Sequence, residues 1–372
     1  MNELHIDKTH WKKYRFGDVA IQTKEVVDIE NTSLTRYVAG EHMFSEDIHL
    51  RKWGTVGDGY LGPAFIRKFN KGDILYGSRR TYLKKVAIAD FDGITANTTF
   101  VIKANEDLIE PVLLAHLMLS HDFTEYSVKN SRGSVNPYIN WKDIADYEFL
   151  LPPKAEQKRL AELLWAADEV VEKEKRERDA LKSDLRTELL QIGNYSNDSQ
   201  LPLNIVCDIL DNKRKPLSSR ERYKIKGSYP YYGVNGIVDY INTYIFDEDL
   251  VLLAEDCGNY SNFKEESIAY YITGKSWINN HVHVLKAKDE IILSKWLYYS
   301  LAHKDTVKYI NGSTRGKLCS SELSRISLYV PTLEQQRNLC TDIERKEQTI
   351  LIIQKQIALS QQIKQELINK VF

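Results

Sequence analysis

The chain has 372 residues, 42% hydrophobic and 28% charged, which is enough for two or three domains that each bury a core. Lys and Arg number 51 against 52 Asp and Glu, for a net charge of −1, so bulk charge announces no nucleic-acid binding and any such surface must be local. No run approaches the roughly 20 apolar residues of a membrane span, and Met1-Asn2-Glu3-Leu4-His5 lacks a signal-peptide layout, so a cytoplasmic protein without membrane contact is expected.

In chain order, an acidic turn at Gly72-Asp73 enters a strand at Ile74-Leu75-Tyr76-Gly77, followed by the basic loop Ser78-Arg79-Arg80-Thr81-Tyr82-Leu83-Lys84-Lys85. Lys85–Ala89 and Ile94–Ala104 carry strand-like β-branched runs, Pro111–Leu119 a helical pattern, and Lys129–Asn136 a second basic loop. From Pro153 to Leu190 there is no Gly or Pro, and Leu160, Leu164, Val171, Leu181 and Leu185 recur at three-four spacing, which predicts a long helix. Gly193–Gln200 reads as a polar linker. The same order then returns: strand-like Asp247–Leu253 and Trp277–Ala287, helical Leu293–Leu301, basic Asn311–Lys317, and a second Gly- and Pro-free run from Pro331 to Phe372. Its apolar positions are Leu339, Ile343, Ile350, Ile353, Ile357 and Leu367.

The chain therefore contains itself twice. Leu151-Pro152-Pro153-Lys154-Ala155-Glu156-Gln157-Lys158-Arg159 resembles Val330-Pro331-Thr332-Leu333-Glu334-Gln335-Gln336-Arg337 through a Glu-Gln-x-Arg core, Asn97 falls on Asn280, and Gly133-Ser134 falls on Gly312-Ser313. The predicted fold is α+β: two tandem α/β units, 1–150 and 193–330, each followed by a long helix, 151–192 and 331–372. At 1.5 Å per residue such helices reach roughly 55 Å, and their narrow apolar seams favour pairing as an antiparallel coiled coil.

A catalytic centre is not apparent. Gly312–Lys317 has one residue too few between its glycines for a P-loop, and Leu318 stands where Ser or Thr would hold Mg²⁺. Asn136-Pro137-Tyr138 lacks a proline of the amino-methyltransferase element and has no glycine-rich partner motif. Cys207, Cys257, Cys319 and Cys340 form no C-x-x-C pair, and His281-Val282-His283 finds no completing Cys or carboxylate cluster in the sequence, so neither a metal nor a cofactor is expected. His116, His121 and His303 read as structural.

Basic, polar loops are what DNA reading requires, with Arg forking onto guanine and Lys serving phosphates. The first unit offers Ser78, Arg79, Arg80, Tyr82, Lys84, Lys85, Arg132, Ser134 and Asn136; the second offers Lys213, Arg214, Ser313, Thr314, Arg315 and Lys317. A protein-binding adaptor with a coiled-coil assembly region is the competing reading.

Pro230-Tyr231-Tyr232-Gly233-Val234-Asn235-Gly236-Ile237-Val238-Asp239-Tyr240, the Asp249–Leu253 strand, Asn280-His281-Val282 and the two helix starts resemble the type I restriction-modification specificity subunit. The resemblance covers nearly the whole chain. It implies a non-catalytic reader of double-stranded DNA, with each unit addressing half of a split, asymmetric target. It also implies helices that set the spacer and dock two methyltransferase subunits, with a motor-nuclease subunit joining for cleavage. Base-reading loops carried over on this resemblance include Ser78, Arg79, Arg80, Arg132, Asn136, Arg315 and Lys317, with Tyr232 and Asn235 in the Tyr-Gly-x-x-Gly element. The first unit departs there and offers Trp53-Gly54-Thr55-Val56-Gly57-Asp58-Gly59-Tyr60 in the approximate place.

Overall fold

The computed structural model describes residues 6–195, 200–256, 260–312 and 316–372. It divides into two compact units, Met1–Glu174 with Lys355–Phe372, and Lys175–Gln354. Among the described residues no helix is long and apolar enough to cross a membrane.

Unit 1 holds strands β1 (Lys12–Arg15), β2 (Ala20–Thr23), β3 (Arg36–Val38), β4 (Gly54–Thr55), β5 (Phe65–Phe69), β6 (Ile74–Gly77), β7 (Val86–Ile88), β8 (Gly93–Ala96), β9 (Thr99–Ala104) and β10 (Glu148–Leu151). They form sheets β2-β9-β6-β7 and β4-β3-β8-β5, with β1 pairing β10. Unit 2 holds β11 (Gln200–Pro202), β12 (Cys207–Ile209), β13 (Lys226–Gly233), β14 (Gly236–Ile241), β15 (Phe246–Asp247), β16 (Leu250–Ala254), β17 (Ala269–Ile272), β18 (Lys275–Ile278), β19 (Val282–Ala287), β20 (Ile310–Asn311), β21 (Lys317–Leu318) and β22 (Ser327–Tyr329). Its sheets, β12-β19-β16-β17 and β14-β13-β18-β15 with β11 pairing β22, repeat the first unit strand for strand. The predicted helices fall at Pro111–Leu117 and Ser294–Ala302. Strands such as Leu250–Ala254 are buried on both faces, which explains their unbroken apolar sequence.

Two long helices follow, Lys154–Asn194 and Leu333–Val371. In unit 1 the start of the first packs on the end of the second: Lys364 Nζ lies 2.7 Å from Asp168 Oδ1, and Ser360 Oγ donates to Glu174 at 3.1 Å. In unit 2 Lys346 Nζ reaches Asp184 at 2.9 Å and Glu188 at 2.8 Å. Residue numbers fall on one helix as they rise on the other, so the helices run antiparallel. The predicted seam divides its work. Leu160, Leu164, Val171 and Ile357 are buried in unit 1 and Ile350 and Ile353 in unit 2, while Leu181 and Leu185 are partly buried. Ile343 and part-buried Leu339 join the core of unit 2. Near the C-terminus Ile368 is fully buried and Leu367 only partly.

The sequence repeat is anchored by two buried glutamines, and they correct its frame. Gln157 Nε2 donates to the carbonyls of Leu108 (2.8 Å) and Pro152 (2.9 Å), and its Oε1 accepts from Glu110 N at 3.0 Å. Gln336 does the same with Ile291 O (3.0 Å), Pro331 O (2.8 Å) and Leu293 N (2.9 Å). Gln157 therefore matches Gln336 rather than Gln335, a shift of one residue from the Glu-Gln-x-Arg alignment. The predicted linker also yields to structure at its first residues. Gly193 and Asn194 are the last turn of the helix. A Cβ on Gly193 would sit 3.1 Å from the backbone at His303 and Lys304. Asn194 bonds His303 O at 3.0 Å and Asp305 N at 2.9 Å.

In unit 1 a charged cluster ties the segment around Asp47–Arg51 to the helices. Asp168 accepts from His49 at 2.5 Å as well as from Lys364, and Arg51 bonds Asp47 at 2.6 Å and Glu172 at 2.5 Å. Burial pushes the Asp168 carboxyl up, but the His49 hydrogen bond and Lys364 outweigh it and leave it below the usual range. The Asp168 hydrogen bond raises His49 above its usual value of 6.5 against the opposing effect of burial.

Two outcomes follow for stability. Gln336→Leu leaves two carbonyls and an N–H without their partner and should cost about 2–4 kcal/mol in denaturant unfolding. The His49 contribution is fully present below pH 6.5 and is lost as pH rises through its raised value, whereas that of Asp168 is lost only in acid below its own usual value. Melting temperature should therefore fall as pH rises above 6.5 through the raised His49 value, and His49→Gln should flatten that dependence in scanning calorimetry.

Candidate nucleic-acid interface

Each unit presents a hairpin pinned to the end of its central strand. In unit 1 Ile139 N donates to Ser78 O at 2.9 Å, Arg80 N to Pro137 O at 2.7 Å, and Arg132 and Tyr138 exchange backbone bonds of 2.8 and 2.9 Å. In unit 2 Leu318 N donates to Glu255 O at 2.9 Å, Asn311 pairs with Lys317, and Asp256 bridges Lys317 as Arg79 bridges Tyr138. Gly133 and Gly312 both stand at positive φ, +88° and +97°, where a side chain would be strained. Ser134, Val135 and Asn136 stand exposed at the first tip. Ser313, Thr314 and Arg315, the corresponding candidates, lie outside the described residues, as does Cys257.

The first hairpin walls a cleft of about 770 Å³ lined by Gln22, Lys24, Arg67, Ser78, Arg79, Asn97, Phe100, Arg132, Tyr138, Trp141 and Lys142, among others. Of the sequence candidates, Ser78, Arg79 and Arg132 meet here. The Ser78 hydroxyl is spent on Thr98 O at 2.6 Å, so Arg79 and Arg132 supply the free donors, with Arg132 also 3.4 Å from Asp143. Arg80 and Tyr82 are exposed beside the cleft, Arg80 in the left-handed region at φ 49°. Lys84 pairs with Glu46 at 2.8 Å and Lys85 donates to Gly40 O, so both are committed elsewhere. Gln22, Lys24, Arg67, Trp141 and Lys142 were not singled out in the sequence. They come from separate strands and a short helix, and only pairing β2 against β9 and β5 against β8 gathers them. The buried Gln22 Oε1 has no partner, an acceptor suited to an exocyclic amino group of adenine or cytosine.

At the matching place unit 2 is self-paired. Buried His283 contacts Asp211 Oδ2 through Nδ1 (2.6 Å) and donates from Nε2 to Leu318 O (2.7 Å). Arg214 donates to Glu255 at 2.7 Å, Val282 O at 2.8 Å and Asp211 O at 2.9 Å, and Lys317 reaches Glu255 at 3.1 Å. Burial alone would raise the Asp211 and Glu255 carboxyls; hydrogen bonds from His283 to the first and from Arg214 and Lys317 to the second hold both below their usual range. Carboxylates do gather around His283, contrary to the sequence expectation, because they arrive from loops far apart in the chain. The position beside them is filled by a guanidinium. His281 does not share that site; it bonds Asp256 at 2.8 Å. Arg214 is thus turned inward, while Lys213 is exposed. Asn235 is exposed at the β13–β14 turn and Tyr232 is half-buried.

Strand register also relocates one element. β3 runs parallel to β8 with Tyr37 opposite Ile94, as β13 runs parallel to β18 with Tyr231 opposite Trp277. The counterpart of Tyr231-Tyr232-Gly233 is therefore Tyr37-Val38-Ala39. Trp53–Tyr60 instead contains β4, the counterpart of β14.

The geometry defines a tandem module whose two copies share a scaffold and differ in their loop-built surfaces. The model of the type I restriction modification DNA specificity domain matches residues 9–183 and 201–371, and the chain belongs to that family of type I specificity subunits. It is 34% identical over 154 residues to a putative type I restriction enzyme specificity subunit, S.HindORF215P, of Haemophilus influenzae, covering 41% of this chain. It is 30% identical over 178 residues to the EcoDI specificity subunit of Escherichia coli, covering 46% of this chain. Each match spans 38% of the relative's own length. In fold it resembles a chain from a structural study of assembly and conformational transition of the type I R-M system, with TM-score 0.64 and 21% identity over 97% of both chains. It also resembles the type I S subunit from M. genitalium, with TM-score 0.56 and 16% identity over 99% of this chain and 98% of that one.

Arg214→Ala strips a largely buried carboxylate pair of its cation and should destabilise unit 2 by about 3–5 kcal/mol. Hydrogen exchange should show faster opening across unit 2, with β20 and β21 opening first.

Proposed function

We propose that this chain is the sequence-reading subunit of a type I restriction-modification complex, with no catalytic residues or cofactor of its own. The observation that carries the reading is the unit 1 cleft, which collects five cationic side chains on a scaffold of the specificity-domain family. Residues 1–150 and 193–330 each read one half of a split duplex target. Equivalent positions in the two units hold different side chains, which supports an asymmetric target. The helices 151–192 and 331–372 set the distance between half-sites and dock two methyltransferase subunits, and a motor-nuclease subunit joins for cleavage. Such a complex works on chromosomal DNA in the cytoplasm. Arg79 and Arg132 present guanidinium forks suited to guanine, and Arg80 flanks them.

The test is to co-express the chain with its methyltransferase partner and map methylated bases by single-molecule sequencing. A split motif that changes in one half when residues 1–150 are exchanged is expected; methylation indifferent to this chain sinks the reading. Arg79→Ala should weaken binding to the cognate site by about 1–3 kcal/mol, and equal discrimination between cognate and scrambled duplexes removes Arg79 as a base reader.

A further inference from the structure

The two units repeat each other closely enough to compare the cleft position by position. β9 and β19 align residue for residue, which places Ala20 of β2 on Cys207 of β12, since each faces the last alanine of its partner strand. Counting on, Lys24 falls on Asp211. Tyr76 faces Phe100 as Leu253 faces His283, so Arg79 falls on Asp256. Phe69 faces Gly93 as Phe246 faces Ser276, so Arg67 falls on Tyr244. The hairpin bridges put Arg132 on Asn311, and the short helices after them put Lys142 on Ser321. All five cations of the unit 1 cleft are replaced in unit 2 by neutral or acidic side chains, and of the acids there Asp211 lies 3.5 Å from Arg214 and Asp256 3.7 Å from Lys317.

Three of those cations are also poised without a counter-charge. Among the described residues no carboxylate pairs with Lys24, Arg67 or Lys142; the acids next to them in sequence are taken up, Glu25 by Lys68 at 2.8 Å and Asp143 by Asn140 at 3.0 Å and Arg132 at 3.4 Å. Arg67 is held in place by donating Nη1 to Lys24 O at 2.9 Å, which leaves its other N–H groups available. Like charges crowded into a concave site repel one another, and an anion bound among them removes that cost. The chemistry is that of a phosphate, and a cleft of about 770 Å³ admits a length of sugar-phosphate backbone.

We propose that Lys24, Arg67 and Lys142 form a seat for a backbone phosphodiester of the bound DNA, present in unit 1 and absent at the equivalent described positions of unit 2, so that the two units present different charge to their half-sites. This rests on the reading of the units as DNA readers. Unit 1 grips electrostatically beside its base-reading arginines, while unit 2 presents Asp211, Tyr244 and Ser321 at the positions of that seat.

The experiment measures binding of a fluorescent random-sequence 30-base-pair duplex (about three helical turns) by the full chain in its methyltransferase complex, across 50–200 mM salt (the range over which phosphate contacts separate, about fourfold). Lys24→Gln combined with Lys142→Gln should flatten the slope of log affinity against log salt by about one, so that the affinity lost shrinks about three- to fourfold across the range. Lys71→Gln, at an exposed position before β6 and outside the cleft lining, should leave the slope as it is. An unaltered slope in the double variant, with normal binding by the parent, overturns the seat and leaves the DNA-reading function standing. No binding by the parent complex overturns that function itself. Saturable binding of inorganic phosphate alone, lost in the double variant while the DNA slope is unchanged, overturns the DNA backbone as the source of the anion.

Discussion

The buried amide at the start of each long helix is the contact on which the rest of this architecture depends. Gln157 and Gln336 each use one side chain to close two carbonyls and one N–H where the globular unit meets the helix. Backbone groups at such a junction cannot all be paired by regular structure, and leaving them dry is costly. The glutamine solves that problem and in doing so fixes the direction in which the helix leaves the unit. Everything that requires a defined relation between sheet and helix, including the apolar seam and the His49–Asp168–Lys364 cluster, builds on that direction.

On this shared scaffold the loops are free to diverge, because their backbone is set elsewhere. The segments closing on Ile139 and Leu318 are held by equivalent main-chain bonds to Ser78 O and Glu255 O and by equivalent bridges, Arg79 with Tyr138 and Asp256 with Lys317. Main-chain pairing is indifferent to side-chain identity. Lys24 and Asp211, or Arg79 and Asp256, can therefore occupy one position without altering the fold. The charge that results is opposite, and unit 2 compensates by turning Arg214 inward and by setting the exposed Lys317 against Glu255 and Asp256. The same backbone that supports an open cationic cleft in one copy supports a closed, self-neutral network in the other.

Helices, central strands and the duplication were legible in the sequence because they depend on periodic burial and on Gly and Pro placement, both local signals. Where errors arose, the deciding contact was distant. The one-residue frame between Gln157 and Gln336 is settled by carbonyls some 45 residues upstream, and the counterpart of the Tyr231 element is settled by a parallel pairing with a strand far along the chain. Lys84 and Lys85 carry the same charge as Arg79, yet their partners Glu46 and Gly40 belong to another segment.

The amino-acid sequence by itself determined that this is a duplicated α+β chain with two long helices and basic loops at repeated places, since periodicity and repetition are written in residue order. Only the tertiary structure decided which basic residues remain available to a ligand. That depends on where each carboxylate and carbonyl ends up in space, and sheet pairing brings together Lys24, Arg67, Arg79 and Lys142 from four separate stretches of chain while it locks Arg214 against Asp211 and Glu255.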